Sequence, residues 1–113
     1  MKLSTPAKLA LRVLQQRLGK NRPLVATLLV TERCNVRCDG CVYYDNLDTR
    51  VSHEDESTER ALLILAKLAE ARLPSVSFAG GEPFVRPDLP LLLRAGHAHG
   101  FSQSLVTLSL IHI

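Results

Sequence analysis

Tryptophan is absent from the 113 residues, and two Tyr and three Phe make up the whole aromatic content. So few rings exclude a base-stacking platform for single-stranded nucleic acid, and a nucleic-acid partner is not expected. Long apolar runs are missing too: none approaches the roughly 18–20 residues that a membrane-spanning helix needs. The first residues lack the uninterrupted apolar core of a secretory signal, so export is not expected and the predicted location is cytoplasmic. Cysteine is absent outside one short window, Cys34 to Cys41, which holds all three. An odd, tightly clustered set is poor material for a disulfide framework, and metal ligation is the better default.

Acidic residues are absent from residues 1–23, which hold six basic ones: Lys2, Lys8, Arg12, Arg17, Lys20 and Arg22. The net charge of +3 therefore hides a basic N-terminal segment and a mildly acidic remainder. Such a segment reads as a solvated helix packed beside the domain, or as a membrane-surface, nucleic-acid or organelle-targeting sequence.

What is present has a regular order. Thr5-Pro6 suits a helix start, Leu9, Val13, Leu14 and Leu18 lie close to one helical stripe, and Gly19 suits its end. Leu24 to Val30 is apolar without alternation, as in a parallel strand buried on both faces. A polar loop from Thr31 to Ser52 carries the cysteines. Ser52 and Asp55 resemble a capping box for a second helix, with Leu62, Leu65, Ala66, Ala69 and Leu73 on one face and Pro74 as its stop. Ser75 to Ala79 is a short strand, Asp88 can cap a third helix closing near Gly100, and Phe101 to Thr107 reads as a third strand. Helix, then β-α-β-α-β, predicts an α/β fold with right-handed crossovers and parallel strands.

Cys34, Cys38 and Cys41 are spaced C-x3-C-x2-C just past the end of the first strand. Ordinary electron-transfer clusters use four thiolates, so three leave one iron open. An open coordination position is how metal centres engage substrate. A structural zinc site completed by His53 or a distant residue, and a redox pair of Cys38 and Cys41, are the competing readings. Spacing alone does not choose between them.

Gly80-Gly81-Glu82-Pro83 lies at the end of the next strand. Paired glycines let backbone approach a ligand closely, and a Glu beside them offers a carboxylate to an ammonium group. By itself the segment is an ordinary tight turn with a surface Glu.

Together the two motifs resemble the radical S-adenosylmethionine (SAM) superfamily, over roughly Pro23 to Thr107. The resemblance implies that Cys34, Cys38 and Cys41 bind a [4Fe–4S] cluster whose fourth iron is chelated by SAM. It also implies that Gly80, Gly81 and Glu82 contact the methionyl amino group. Gly40 stands where many members have an aromatic residue. The adenine contact there runs through backbone, and Tyr43 or Tyr44 can replace the lost ring. The implied reaction is reductive cleavage of SAM to a 5′-deoxyadenosyl radical, acting on an unidentified small molecule, lipid or peptide. An electron donor such as flavodoxin or ferredoxin is implied as a partner. A non-catalytic iron–sulfur or zinc module is the alternative.

The implied fold is the N-terminal part of a partial (β/α)6 TIM-like barrel. Residues 1–23 form a basic helical extension, and 24–107 form the first β/α units of the core. Leu108-Ser109-Leu110-Ile111-His112-Ile113 match one frame of a common sequencing adapter and are expected to be non-native read-through. A chain so truncated is not expected to turn over alone. His53, His97 and His99 are expected at surface positions rather than as acid–base groups.

Overall fold

Three apolar segments pair in sequence order, and a helix follows each of the first two. The computed structural model of the chain describes residues 4–35, 38–41 and 54–108. Helix α1 spans Thr5–Arg17, strand β1 Val25–Thr31, helix α2 Thr58–Glu70 and strand β2 Ser75–Gly80. A 3-10 turn at Pro83–Val85, helix α3 at Leu89–Ala98 and strand β3 at Ser102–Leu105 follow. The strands form one open parallel sheet in the order β1-β2-β3. This is the predicted α/β order, consistent with the start of a TIM-like barrel.

Helices α2 and α3 cover one face of the sheet. Ala61 and Leu65 of α2 meet Leu89 and Leu92 of α3 above Val30, Val76 and Phe78 of the strands. Leu65, Val76, Phe78 and Leu92 are wholly buried. Each such burial stabilises the fold by about 1.5–3 kcal/mol.

The expectation that β1 is buried on both faces needs correction. Val25 and Leu29 are 53% and 58% exposed. Among the described residues the helical layer covers one face only, so Ala26, Leu28 and Val30 pack on the core while Val25, Thr27 and Leu29 point away. In a barrel that second face is the interior, which explains its apolar character.

Two helix starts also differ from expectation. Ser4 is the N-cap of α1, without a side-chain cap bond, and Pro6 lies in the first turn. Ser57 caps α2, accepting from the Arg60 amide at 3.2 Å. The capping box expected at Ser52 and Asp55 therefore does not start this helix. Ser52 lies outside the described residues, and the Asp55 carboxylate is bound elsewhere. Tyr43, Tyr44 and His53 also lie outside them, as does the expected read-through segment beyond Leu108.

Candidate functional site

The site is built at the carboxyl ends of β1 and β2. β1 pairs regularly with β2 from Val25↔Ser75 to Leu29↔Ala79, then skips Val30 so that Thr31 faces Gly80. This bulge breaks the alternation and buries both Val30 and Thr31. Bulges re-aim side chains at strand ends, and here the one re-aimed is Thr31. Its hydroxyl donates to Asp55 Oδ1 at 2.7 Å and accepts the Arg33 amide at 3.1 Å. Arg33 adds a salt bridge, with Nε and Nη2 on Asp55 Oδ2 at 3.1 and 2.6 Å. Asp55 thus holds the entrance of the cysteine loop against the segment that leads into α2.

The Gly-Gly-Glu turn is laced to the same entrance. The Gly81 amide donates to the Thr31 carbonyl at 3.0 Å, and the Glu82 amide to the Arg33 carbonyl at 2.9 Å. Gly80 has φ +146°, and a Cβ there would lie 2.3 Å from the Thr31 carbonyl oxygen. A Cβ on Gly81 would lie 2.3 Å from the Arg33 carbonyl oxygen. The pair of glycines is therefore required by backbone packing against the loop itself, before any ligand is considered.

Glu82 is 2% exposed. Its Oε1 accepts from the Phe84 amide at 3.2 Å and the Thr107 hydroxyl at 2.7 Å, and its Oε2 from the Leu108 amide at 3.1 Å. The carboxylate thus ties the turn to the segment leaving β3.

Cys34, Cys38 and Cys41 are half-buried. Cys38 to Cys41 form a tight turn, closed by the Cys41 amide on the Cys38 carbonyl at 3.2 Å. Gly40 occupies it with φ +72°, a conformation that favours glycine. Val36 and Arg37, between the first two cysteines, lie outside the described residues. Among the described residues no three His, Cys, Asp or Glu side chains converge on a metal-sized point. The chemistry of the donor set nonetheless suits iron–sulfur, since three thiols on one loop are soft ligands of the right type.

Beneath this rim lies a group that sequence reading missed. Arg86 is 4% exposed and forks onto Asp88, with Nε–Oδ1 at 2.6 Å and Nη2–Oδ2 at 2.9 Å. Its Nη1 donates to the carbonyl of Val30, the residue the bulge skips, at 2.8 Å. Thr58 Oγ1 donates to Asp88 Oδ2 at 2.6 Å. The network joins the end of β1 to the first turns of α2 and α3. Asp88 sits at the N-cap position of α3 but makes no side-chain cap bond. The Arg86 guanidinium holds its carboxyl down to about 2, with Thr58 adding to the effect, while the Arg86 pKa is raised chiefly by the same bond. Arg86-Pro87-Asp88 was a weak signal, because its partners lie 30 and 56 positions away.

His97 and His99 are exposed at the far end of α3, away from the cysteine loop. No helix among the described residues is long and apolar enough to cross a membrane.

The sequence profile of the Radical SAM superfamily matches residues 28–111, which takes in the cysteine loop and the Gly-Gly-Glu turn. The chain belongs to that superfamily. Radical SAM proteins generally use a [4Fe–4S] cluster and SAM. Similar radical SAM sequences include a 7,8-dihydro-6-hydroxymethylpterin dimethyltransferase of Methanocaldococcus jannaschii, 32% identical over 73% of this chain and 16% of the relative. The PqqA peptide cyclase of Bradyrhizobium diazoefficiens is 34% identical over 75% of this chain and 22% of its own length. Molybdenum cofactor biosynthesis protein 1 of Drosophila melanogaster is 30% identical over 79% of this chain and 17% of its own length. The chain thus spans about a fifth or less of the curated relatives it matches.

Proposed function

We infer that the chain forms the cluster-bearing front of a radical SAM active site. Cys34, Cys38 and Cys41 hold a [4Fe–4S] cluster with one iron left for SAM. Gly80, Gly81 and Glu82 receive the methionyl amino group, and the backbone at Gly40 meets the adenine. When bound, the two groups supply one-electron cleavage of the sulfonium to methionine and a 5′-deoxyadenosyl radical. The chain's own residues orient and enclose. Thr31, Arg33 and Asp55 hold the loop entrance, and Glu82 holds the turn. The substrate is a small molecule, peptide or lipid, and a flavodoxin or ferredoxin supplies the electron.

The observation that carries this reading is the lacing of Gly81 and Glu82 to Thr31 and Arg33, at 3.0 and 2.9 Å. It makes one rim of both motifs at the carboxyl ends of parallel strands, where α/β proteins bind their ligands. The test is anaerobic reconstitution followed by metal analysis. Iron and sulfide near four each per chain are expected, as a cubane requires, together with loss of both in Cys38→Ala. Zinc as the sole metal would sink the reading and favour a non-catalytic zinc module.

A further inference from the structure

Helix α1 meets the rest of the chain through its cations rather than its leucines. Arg12 is 6% exposed, and its Nη2 donates to the carbonyls of Ala71, at 3.0 Å, and of Arg72. Lys8 Nζ donates to the Gly100 carbonyl at 3.3 Å. These carbonyls end α2 and α3, where aligned peptide dipoles leave partial negative charge. Leu9, Val13 and Leu14, the stripe expected from sequence, are exposed.

Between α1 and the helix ends lies a cavity of about 320 Å³. Lys8, Arg12, Arg22 and Arg72 line it together with Leu73 and Phe101, and among the described residues no carboxylate does. The helix-end carbonyls explain Lys8 and Arg12. They do not engage Arg22 and Arg72, which are exposed at the cavity mouth and have no side-chain hydrogen bond or ion pair among the described residues. Arg72 also has φ +57°, at a helix end where glycine is the residue of least conformational cost. A cation thus stands where a side chain is disfavoured, and it borders a cavity lined by positive charge among the described residues.

We propose that this cavity binds a phosphoryl-type anion whose carrier has an apolar part resting on Leu73 and Phe101. Three guanidiniums and an ammonium exceed what one carboxylate neutralises, and the planar guanidinium fork matches phosphate oxygens. SAM carries no phosphate. The cavity also lies at the opposite end of the strands from the cysteine loop, since Arg22 precedes β1, Leu73 precedes β2 and Phe101 precedes β3. The phosphoryl group belongs either to a soluble ester or to a phospholipid headgroup.

The test is calorimetric titration of the intact chain with inorganic pyrophosphate, with flotation on vesicles containing phosphatidic acid and on phosphatidylcholine vesicles as the control. Saturable pyrophosphate binding that weakens with salt is expected. Arg72→Gly should weaken it about tenfold, the effect of losing one charge-assisted bond. The same variant should keep or raise the melting temperature, because glycine relieves the positive φ. Arg22→Ala, outside every helix and strand, should weaken binding without changing the melt. Pyrophosphate binding without flotation assigns a soluble ester. Flotation specific to phosphatidic acid, reversed by pyrophosphate, assigns a headgroup. Wild-type affinity in both variants overturns the proposal, as does the absence of both pyrophosphate binding and selective flotation.

Discussion

Gly81 lies against the carbonyl of Arg33 so closely that a methyl group on its Cα would sit 2.3 Å from that oxygen. The contact is backbone on backbone, and the Glu82 amide bonds the same carbonyl at 2.9 Å. Neither side can swing away as a flexible side chain would. Gly81→Ala should therefore cost about 1–3 kcal/mol, the range for overpacking, and should lower iron retention as the loop entrance is displaced. Thermal melts paired with iron assays on the reconstituted protein check both. An unchanged melt with full iron would show that the turn has room the geometry denies.

Asp55 acts on the same entrance from the other side. Asp55→Ala removes the bonds to the Thr31 hydroxyl and the Arg33 guanidinium. The Arg33 side chain is half-exposed, so its ion pair contributes little, and the total cost should be about 1 kcal/mol. Cluster loading should fall by more than the melt predicts, because the loss is confined to the loop. Comparing iron content with the melting temperature across wild type, Asp55→Asn and Asp55→Ala separates the two.

The Arg86–Asp88 pair sets an acid limit on stability. Asp88 is held at about 2 against an ordinary 3.8, so its folded-state pKa is depressed. Its contribution is then complete above about pH 4 and is lost as pH falls from there toward 2. After allowance for solvent screening, that contribution is about 1–2 kcal/mol. Denaturant midpoints measured from pH 5 to pH 2 should decline in wild type. The decline should be shallower in Asp88→Asn, which starts lower. Parallel slopes would show that another carboxyl sets the limit.

Arg86 itself should be far less tolerant of change. Arg86→Leu leaves Asp88 with Thr58 as its remaining side-chain donor and strands the Val30 carbonyl, and should cost about 2–3 kcal/mol. Arg86→Lys keeps the charge but not the fork, so it should recover only part of that loss. Urea midpoints of the two variants give the comparison.

Ser57 tests where α2 begins. Its hydroxyl accepts the Arg60 amide, so Ser57→Ala should lower stability by about 1 kcal/mol. A neutral result in chemical denaturation would place the effective cap elsewhere.

Sequence alone determined the order of elements and the two motifs, because both are local. Apolar runs of strand length, proline stops and cap residues act within a few positions, and the cysteine and glycine patterns are read from adjacent residues. Which Ser caps α2 was misread, since Ser52-Asp55 and Ser57 both have suitable chemistry nearby and only the placement of Asp55 decides between them. The exposure of Val25 and Leu29 was likewise illegible, because an apolar residue reads the same whether it faces helices or a barrel interior. Tertiary structure alone decided what joins the motifs. Thr31, Arg33 and Asp55 meet across more than twenty positions, and Arg86 reaches Val30 across 56. No periodicity encodes such pairings; they follow from a bulge at the end of β1 and from the parallel register that sets Gly80 against Thr31. Tertiary structure also decided which face of α1 meets the domain: the leucine stripe is exposed, while the carbonyls ending α2 and α3 need donors, and Lys8 and Arg12 supply them.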